Sequence, residues 1–357
     1  MHFASDNTSG VPDAILDALR DANAGFAMGY GADRYMDALR DRIRALFEAP
    51  EAEVFLVATG SAANALACAS YCPPWGVIYC HKLAHIEVDE CGAPEFFTAG
   101  AKLTHVAGTD GKIDPNALAS VLAQSGKGVV HHVQPGMVSL TNLTECGTRY
   151  SVAEITALAE IAHSHGLPVH LDGARFANAL VAEGCSPAQM TWRAGVDVLC
   201  LGGTKNGLMG VEAVVFFDPA KAWEFQLRRK RGGHLPSKHR YLSAQMLAWL
   251  ENDLWLDLAR HANAMAGRLE AGLAGHAQIA YPRGGNMIFA TWPRAGHDRL
   301  QDAGAEYYLW PDHATWDDPD PIGARLVTSW STTEAHVDRF LTTLASQNAL
   351  PSGAALG

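Results

Sequence analysis

The chain has 357 residues, of which 48% are hydrophobic and 18% are charged, and its formal net charge is −11 at pH 7. This length and composition predict a globular protein with more than one hydrophobic core, and we expect one large and one small domain. The negative charge, with no basic run to offset it, argues against nonspecific binding to nucleic acid or to an anionic membrane.

The cysteines and the N-terminus indicate where in the cell the protein is located. Seven cysteines occur singly in apolar or small-residue surroundings, with an odd total and no CxxC pair, a usage typical of reduced thiols. The first residues lack the cationic start and apolar core of a leader, and no stretch reaches the roughly 18 uninterrupted apolar residues of a membrane span. We therefore expect a soluble, cytoplasmic protein.

Short apolar runs alternate with helical patterns between about residues 50 and 216. This alternation is typical of a mostly parallel, doubly wound sheet. The predicted buried strands are residues 54–57, 76–79, 128–133, 169–171, 196–201 and 211–217. Between the third and the fourth, Ser151 and Glu154 have the spacing of a capping box, which predicts a helix that Gly166 closes.

The pattern changes after residue 218. A basic patch from Arg228 to Arg240 is followed by a predicted amphipathic helix at 244–274, strands at 286–291 and 325–329, and a helix at 333–346. We interpret this part as a second, smaller α/β domain. The predicted organisation is an N-terminal arm at 1–15, a large domain at 16–243, a small domain at 244–350 and a flexible tail at 351–357.

Two predicted strands end in groups that can carry catalysis. Lys205 lies in the segment Gly-Gly-Thr204-Lys205 after the strand 196–201, and Asp172 follows the strand 169–171. Because the carboxyl ends of parallel strands meet at one edge of a sheet, we expect these side chains to lie close together. A Schiff-base lysine and an acid for a pyridine nitrogen are what a pyridoxal 5′-phosphate (PLP) enzyme needs. The alternative for Asp172 is a turn or N-cap residue, although an unpaired carboxylate at a buried strand end would be costly.

Two features could hold the anionic groups of a cofactor and a substrate. The segment Gly60-Ser61-Ala-Ala-Asn64 opens an alanine-rich helix directly after a predicted strand, and amides at a helix N-terminus bind phosphate. Such a turn is a weak signal alone and a stronger one beside the lysine and the acid. Arg175 forms either a surface ion pair or a bidentate grip on a substrate carboxylate.

Three histidines are further candidates. His81 and His85 have the i, i+4 spacing of metal ligands. No third ligand accompanies them, so we predict no metal site and expect His85 to stack over a planar cofactor ring. His131, in the predicted strand 128–133, is a candidate to meet a substrate hydroxyl, and the alternative is a histidine satisfied by the backbone.

With these motifs in place, the chain resembles the fold-type I, PLP-dependent L-threonine aldolases, among them the low-specificity and phenylserine aldolases. The resemblance extends along most of the chain. It rests on Ser5-Asp6, Tyr30-Gly31, Thr59 to Asn64, His85 with Glu90, Asp172-Gly-Ala-Arg175, Thr204-Lys205, Asn286-Met287 and Arg325-Leu-Val-Thr328. It implies a large, doubly wound domain like that of aspartate aminotransferase and a smaller C-terminal α/β domain.

The resemblance also implies roles for single residues. Lys205 would hold the cofactor, Asp172 would bind its pyridine nitrogen and His85 would stack on its ring. The other implied cofactor contacts are Gly60, Ser61, Asn64, Arg175 and Thr204, the implied substrate contacts are Ser5, Tyr30, Arg175 and Arg325, and His131 would lie near the substrate hydroxyl. Tyr30 and the basic segment around Arg229, Lys230 and Lys238 resemble elements that complete a neighbouring subunit's site, which implies a homodimer or homotetramer with shared active sites.

The implied activity is retro-aldol cleavage of L-β-hydroxy-α-amino acids, namely L-threonine, L-allo-threonine and L-phenylserine, to glycine and an aldehyde, with His85 or His131 as the base. An aromatic side chain in the pocket would favour a phenyl-bearing substrate. The candidates for such a side chain are Trp75, Tyr307, Tyr308, Trp310 and Trp316. A transaminase or β-eliminating lyase with the same cofactor is the alternative activity, and a non-catalytic PLP-binding regulator is a more distant one.

Overall fold

The computed structural model describes residues 1–311 and 314–346. Its larger sheet has seven strands in the order β1-β7-β6-β5-β4-β2-β3. The strands are β1 Glu53–Val57, β2 Gly76–His81, β3 Lys102–Val106, β4 Gln134–Thr141, β5 Val169–Gly173, β6 Val198–Gly202 and β7 Glu212–Phe216. Strand β7 runs antiparallel to both of its neighbours, and the other pairings are parallel. The alternating pattern predicted this mostly parallel α/β sheet.

Hydrophobic cores lie on both faces of this sheet, as expected for a doubly wound fold. Along β1, Val54 and Leu56 pack into one core, whereas Phe55 and Val57 pack into another. The helices are α1 Asp13–Ala22, α2 Arg34–Leu46, α3 Gly60–Tyr71, α4 His85–Val88, α5 Ala93–Phe97, α6 Pro115–Ala123, α7 Val152–Ser164, α8 Phe176–Glu183, α9 Pro187–Met190, α10 Ala222–Arg231, α11 Arg240–Leu250, α12 Leu254–Leu273, α13 Arg294–Asp302 and α14 Glu334–Ala345. The predicted capping box starts α7, since the side chains of Ser151 and Glu154 each accept the other's backbone N–H.

A second, four-stranded antiparallel sheet lies near the C-terminus, in the order β10-β11-β9-β8. Its strands are β8 Gln278–Ile279, β9 Met287–Trp292, β10 Tyr308–Trp310 and β11 Ile322–Val327. The N-terminal arm joins this sheet, because Phe3 donates its N–H to the carbonyl of Glu306 and accepts the N–H of Val327, both at 2.8 Å. The buried Phe3 ring meets Phe340 edge to face, so the start of the chain packs in the C-terminal core.

Two strand predictions need correction. Residues 126–133 form exposed turns rather than a strand, and β4 starts only at Gln134. The Gln134 side chain accepts the N–H of Gly128 and donates to the carbonyls of Val129 and His132, so these backbone groups are satisfied without a ladder. Strand β3 was not predicted, because this outermost strand is only partly buried and lacks a continuous apolar run.

The predicted helix at 244–274 is two helices, α11 and α12. Asn252 and Asp253 lie between these two helices. Their φ angles of 51° and 57° are left-handed backbone conformations, which interrupt the helix. Trp249 on α11 packs in the large core, whereas Met265 on α12 packs in the C-terminal one. The domain boundaries stay a prediction, and the tail at 351–357 lies outside the described residues. Among the described residues, no helix combines the length and apolar character that crossing a bilayer requires.

Candidate active site

A cavity of about 500 Å³ opens at the carboxyl ends of β4, β5 and β6. It is lined by Ser5, Asn7, Ala58, Thr59, Gly60, Ser61, Ala63, Asn64, His85, Asp89, Glu145, Asp172, Ala174, Arg175, Cys200, Gly202, Thr204, Lys205, Glu212 and Arg325. Lys205 and Asp172 therefore border the same space, as their positions after two strands predicted.

The carboxylate of Asp172 is buried and held in a fixed orientation. Its Oδ2 accepts a hydrogen bond from Nδ2 of Asn64 at 3.0 Å, and its Oδ1 accepts the N–H of Ala174 at 3.0 Å. Asn64 also donates to Oε1 of Glu90 at 2.9 Å, while its own Oδ1 is buried without a partner. The cavity thus contains an immobilised acid that can accept a further N–H from a ligand.

Glu212 anchors the short turn that carries Lys205. Strands β6 and β7 are antiparallel and place Gly202 opposite Glu212. The buried Glu212 carboxylate accepts the N–H of Gly203 at 2.7 Å and the hydroxyl of Thr204 at 2.5 Å. Burial raises the pKa of Glu212 to about 7, although these hydrogen bonds and the charge of Lys205 lower it. Thr204 lines the cavity, but its hydroxyl proton is directed to Glu212.

The N-terminus of α3 faces the cavity with Gly60 and Ser61. Thr59 caps the helix by accepting the N–H of Ala62 at 3.2 Å. A Cβ atom built on Gly60 would meet no other atom within 4 Å, so the space beside this residue is open. The first amides of the helix are therefore available to an anion in the cavity.

His85 starts α4 and lies between acidic groups. Its Nδ1 is 2.8 Å from Oε1 of the buried Glu90, and its Nε2 is 3.6 Å from Oδ2 of Asp89. Burial lowers the pKa of His85, but the Glu90 hydrogen bond and the charges of Asp172 and Glu145 outweigh burial and leave the pKa raised. The neighbouring carboxylates therefore stabilise the protonated ring relative to a histidine in water.

Arg175 forms a buried ion pair instead of presenting a free fork to the cavity. Its Nε and Nη2 donate to the two carboxylate oxygens of Asp6 at 2.7 and 3.0 Å. Asn286 donates to the same carboxylate at 3.1 Å. Burial raises the pKa of Asp6, but the pairing with Arg175 outweighs it and lowers the pKa below its usual value. Two of its five donors are therefore committed, while Arg175 still lines the cavity, so its predicted contact with a substrate carboxylate stays a prediction.

The other predicted carboxylate ligands line the cavity. Arg325 reaches it from β11, and Ser5 reaches it from the N-terminal arm. The Ser5 hydroxyl accepts the N–H of Asn7 at 3.1 Å, which keeps its own proton free to donate. The C-terminal sheet and the arm thus complete a cavity that the large sheet begins.

Three predicted site residues lie elsewhere. His131 is exposed in the turns before β4, at the amino end of that strand, so its assignment as the base is wrong because the cavity lies at the carboxyl ends. Tyr30 is half-exposed outside the lining, with Nζ of Lys230 4.5 Å from the centre of its ring. Arg229 is buried in its own chain, where it donates to the carbonyl of Leu56 at 3.0 Å, and therefore cannot reach out as a free cation.

Sequence reasoning missed three acids in the lining, Asp89, Glu145 and Glu212. A signal existed for Glu212, because a charged residue inside the apolar run 211–217 needs a buried partner. Glu145 was hidden by the misplaced strand at 128–133, since β4 ends at Thr141 and the residues after it enter the cavity.

The lining fits PLP, which combines an aldehyde, a ring nitrogen and a phosphate. Lys205 offers an amine for the aldehyde, and Asp172 offers an acid for the nitrogen. The amides at Gly60 and Ser61 offer a phosphate site. The carboxylates of Asp172 and Glu90 and the ring of His85 bring ligand atoms within 4.8 Å of one another, and their links through Asn64 and to His85 account for this spacing without a metal ion.

Comparison with known proteins supports this chemistry. The family described as beta-eliminating lyase matches residues 2–290. A low specificity L-threonine aldolase from a Pseudomonas strain is 39% identical over 337 residues, which cover 94% of each chain. The chain belongs to the PLP-dependent threonine aldolase family. Within that family, the relative from Pseudomonas aeruginosa is also 39% identical and covers 92% of this chain and 93% of its own.

Solved structures agree with the threonine aldolase fold. The threonine aldolase of Leishmania major superposes with a TM-score of 0.89 at 30% identity, covering 96% of this chain and 98% of the other. A serine palmitoyltransferase from Sphingomonas wittichii, at 14% identity and a TM-score of 0.71, shares the fold. The chain is thus a PLP-dependent lyase of fold type I, and its cofactor is pyridoxal 5′-phosphate.

Proposed function

We propose that this enzyme cleaves L-β-hydroxy-α-amino acids, with L-threonine as the reference substrate, to glycine and an aldehyde. The observation that carries the proposal is the cavity in which Lys205, the fixed Asp172 carboxylate and the N-terminus of α3 meet. Two relatives called low specificity L-threonine aldolases support this reaction, since 39% identity to each of them extends over nearly the whole chain.

When bound, PLP supplies an aldehyde that condenses with amines and a cationic ring that withdraws electrons from the substrate Cα. Lys205 would hold the cofactor through its ε-amine. Asp172 would keep a proton on the ring nitrogen, because its buried carboxylate otherwise lacks a cationic partner. Gly60 and Ser61 would hold the phosphate, and His85 would contact the ring.

Arg325 and Ser5 bind the substrate carboxylate in this proposal. The Arg175–Asp6 pair borders the same space, and by holding Asp6 it fixes the arm on which Ser5 lies. A carboxylate held from the β11 side fixes the rotation of the substrate, and this rotation decides which bond of Cα is aligned for cleavage.

We propose L-threonine and L-allo-threonine as better substrates than L-phenylserine. Among the described residues, the lining contains no Phe, Tyr or Trp that could stack on a phenyl group. Two of the aromatic candidates pack instead inside the C-terminal domain, Tyr307 against Trp292 and Trp310 against Phe289. A lining with hydroxyl and charged groups but no aromatic ring favours a short side chain that carries a hydroxyl.

The test is to incubate the PLP-loaded enzyme separately with L-threonine, L-allo-threonine and L-phenylserine and to identify the products. We expect glycine and acetaldehyde from the first two, and slower release of benzaldehyde from the third. The second candidate is β-elimination, which the matched family's description suggests. Ammonia and a keto acid in place of glycine and aldehyde would establish that alternative.

We further propose that the enzyme is a homo-oligomer in which Tyr30 contributes to a neighbouring subunit's site. Tyr30 lies in a segment that also exposes Phe26 and Met28, and solvent exposure of three large apolar side chains in five residues indicates a contact surface. Light scattering should give a dimer or tetramer. A monomeric enzyme with full activity would contradict the shared site.

A further inference from the structure

Glu145 is a carboxylate of the cavity that the assigned roles leave unused. It follows the end of β4 in a turn whose backbone is closed by hydrogen bonds. The N–H of Thr144 binds the carbonyl of Thr148 at 3.0 Å, and the N–H of Gly147 binds the carbonyl of Thr144 at 2.9 Å. The buried hydroxyl of Thr144 also accepts the N–H of Cys146 at 3.2 Å. This turn therefore holds Glu145 at the carboxyl edge of the sheet, beside the cavity.

Glu145 differs from the other acids of the lining because it lacks a structural partner. Asp172 and Glu212 are held by the hydrogen bonds described above, and Asp89 forms an ion pair with His85. Within residues 1–311 and 314–346, no hydrogen bond or ion pair involves the Glu145 side chain. Its oxygens are thus free to meet a ligand, while its charge acts across the cavity on His85 and Arg175.

His85, the remaining candidate for the base, is badly placed to accept a proton. Both of its ring nitrogens already face carboxylates, Glu90 at 2.8 Å and Asp89 at 3.6 Å. Carboxylates beside both nitrogens favour an N–H at each of them, so a lone pair of this ring is less available to a substrate hydroxyl than a lone pair of an unpaired carboxylate. Glu145 is the acid of the lining that offers such an unpaired carboxylate.

We propose that the Glu145 carboxylate is the base that accepts the β-hydroxyl proton of the substrate. This assignment rests on the proposed cleavage. The electron pair of the substrate O–H bond becomes the second bond of the aldehyde carbonyl. The Cα–Cβ bond breaks, and its electron pair stays on Cα. Cα then takes up one proton, which balances the proton on Glu145, so that one β-hydroxy amino acid gives one glycine and one aldehyde. No oxidant or further reactant is required.

The test compares Glu145→Gln with wild-type enzyme in three measurements. Steady-state aldehyde release from L-threonine reports the proposed step. Exchange of a glycine Cα proton with D₂O, followed by NMR, requires the cofactor machinery but no hydroxyl deprotonation. Binding of L-alanine, followed by the absorbance of the bound cofactor, reports site integrity without turnover. We expect kcat for cleavage to fall about 10²-fold or more with little change in KM, whereas glycine exchange and alanine binding stay within about twofold of wild type.

Two further variants control for charge and fold. Glu160→Gln removes an exposed carboxylate on α7, away from the cavity lining, and should not reproduce the selective loss of cleavage. Glu145→Asp keeps the carboxylate and should retain more activity than Glu145→Gln.

The failures can be told apart. Cleavage by Glu145→Gln at the wild-type rate overturns the assignment of the base alone. A parallel loss of cleavage, exchange and alanine binding also overturns it, because such a loss indicates a structural role. A wild-type enzyme that exchanges glycine yet releases no aldehyde from any β-hydroxy amino acid overturns the proposed function itself.

Discussion

The amino and carboxyl edges of the large sheet carry similar residue types in very different surroundings. At the amino edge, the exposed turns before β4 contain Lys127 and His131, and the Gln134 side chain hydrogen-bonds to the backbone of these turns. At the carboxyl edge, Lys205 and His85 line the cavity together with Glu145. A lysine or a histidine becomes a candidate for catalysis only where the fold brings it to the carboxyl edge and surrounds it with buried partners.

The largest difference in activity between variants at the two edges of the sheet should come from Lys205 and Lys127. Lys205→Ala removes the amine that we assign to the cofactor and should lower aldehyde release by more than about 10³-fold. It should also abolish the covalent lysine adduct that borohydride traps and mass spectrometry locates. Lys127→Ala, at the amino edge, should change neither measurement. Normal turnover by Lys205→Ala, or a trapped adduct at another lysine, would remove the basis of the proposed site.

The buried ion pair of the cavity should matter more for stability than an exposed pair of similar geometry. Arg175→Met leaves the buried carboxylate of Asp6 without its cationic partner and should lower the free energy of unfolding by about 3–5 kcal/mol. Arg268→Met breaks a bidentate pair with Asp338 on the surface and should have a much smaller effect. Denaturant unfolding of the holoenzyme measures both changes. Equal losses in the two variants would contradict the importance of burial.

Two histidine variants sharpen the same comparison through kinetics. His85→Asn removes a ring that lines the cavity and hydrogen-bonds to Glu90. The variant loses a proton donor near the reacting groups, so cleavage should slow about 10²-fold. His131→Asn, at the amino edge, should leave kcat and KM within about twofold of wild type. The ratio of kcat/KM between the variants is the measurement. A large effect of His131→Asn would mean that the exposed turns reach the cavity during turnover.

Local patterns in the sequence predicted the features that depend on neighbouring residues. The Ser151–Glu154 capping box, the helix N-terminus at Gly60 and the strand ends at Asp172 and Lys205 are all set within a few residues. The prediction of a strand at 128–133 was wrong for the same reason. Its apolar residues fit a strand, but Gly128 adopts a φ of +83° and the backbone turns there. A continuous apolar run therefore does not distinguish a strand from the turn that precedes it.

Contacts between distant segments could not be predicted in this way. The Asp6–Arg175 pair joins residues 169 positions apart, and the Asn64–Asp172 hydrogen bond joins residues 108 apart. The role of Glu212 depends on the antiparallel pairing of β6 with β7. The residues of a strand do not show whether it runs parallel or antiparallel to its neighbour, so the sequence could not predict this pairing. The motifs identify the chemistry of the site, whereas the partners that hold its charges emerge only from the folded sheet.

The smallest expected effect concerns His170, which lies on β5 between the two edges. Its ring is fully buried, with Nδ1 2.9 Å from Oγ of Ser139 and Nε2 3.3 Å from Sγ of Cys200. Burial lowers the pKa of His170 from 6.5 to about 4, although the charge of Asp172 opposes this shift. Below pH 6.5 the unfolded chain protonates His170, whereas the folded chain does so only near pH 4. The free energy of unfolding that is present above pH 6.5 is therefore lost progressively as the pH falls from 6.5 to about 4.

This linkage should cost about 2 kcal/mol of unfolding free energy at pH 5 compared with pH 7. The variant His170→Gln cannot bind the extra proton, so its stability should fall by about 2 kcal/mol less than that of wild type over the same interval, even if it is less stable at pH 7. Urea unfolding of both holoenzymes at the two pH values measures the difference. Equal losses would mean that the folded protein protonates His170 as readily as the unfolded chain does.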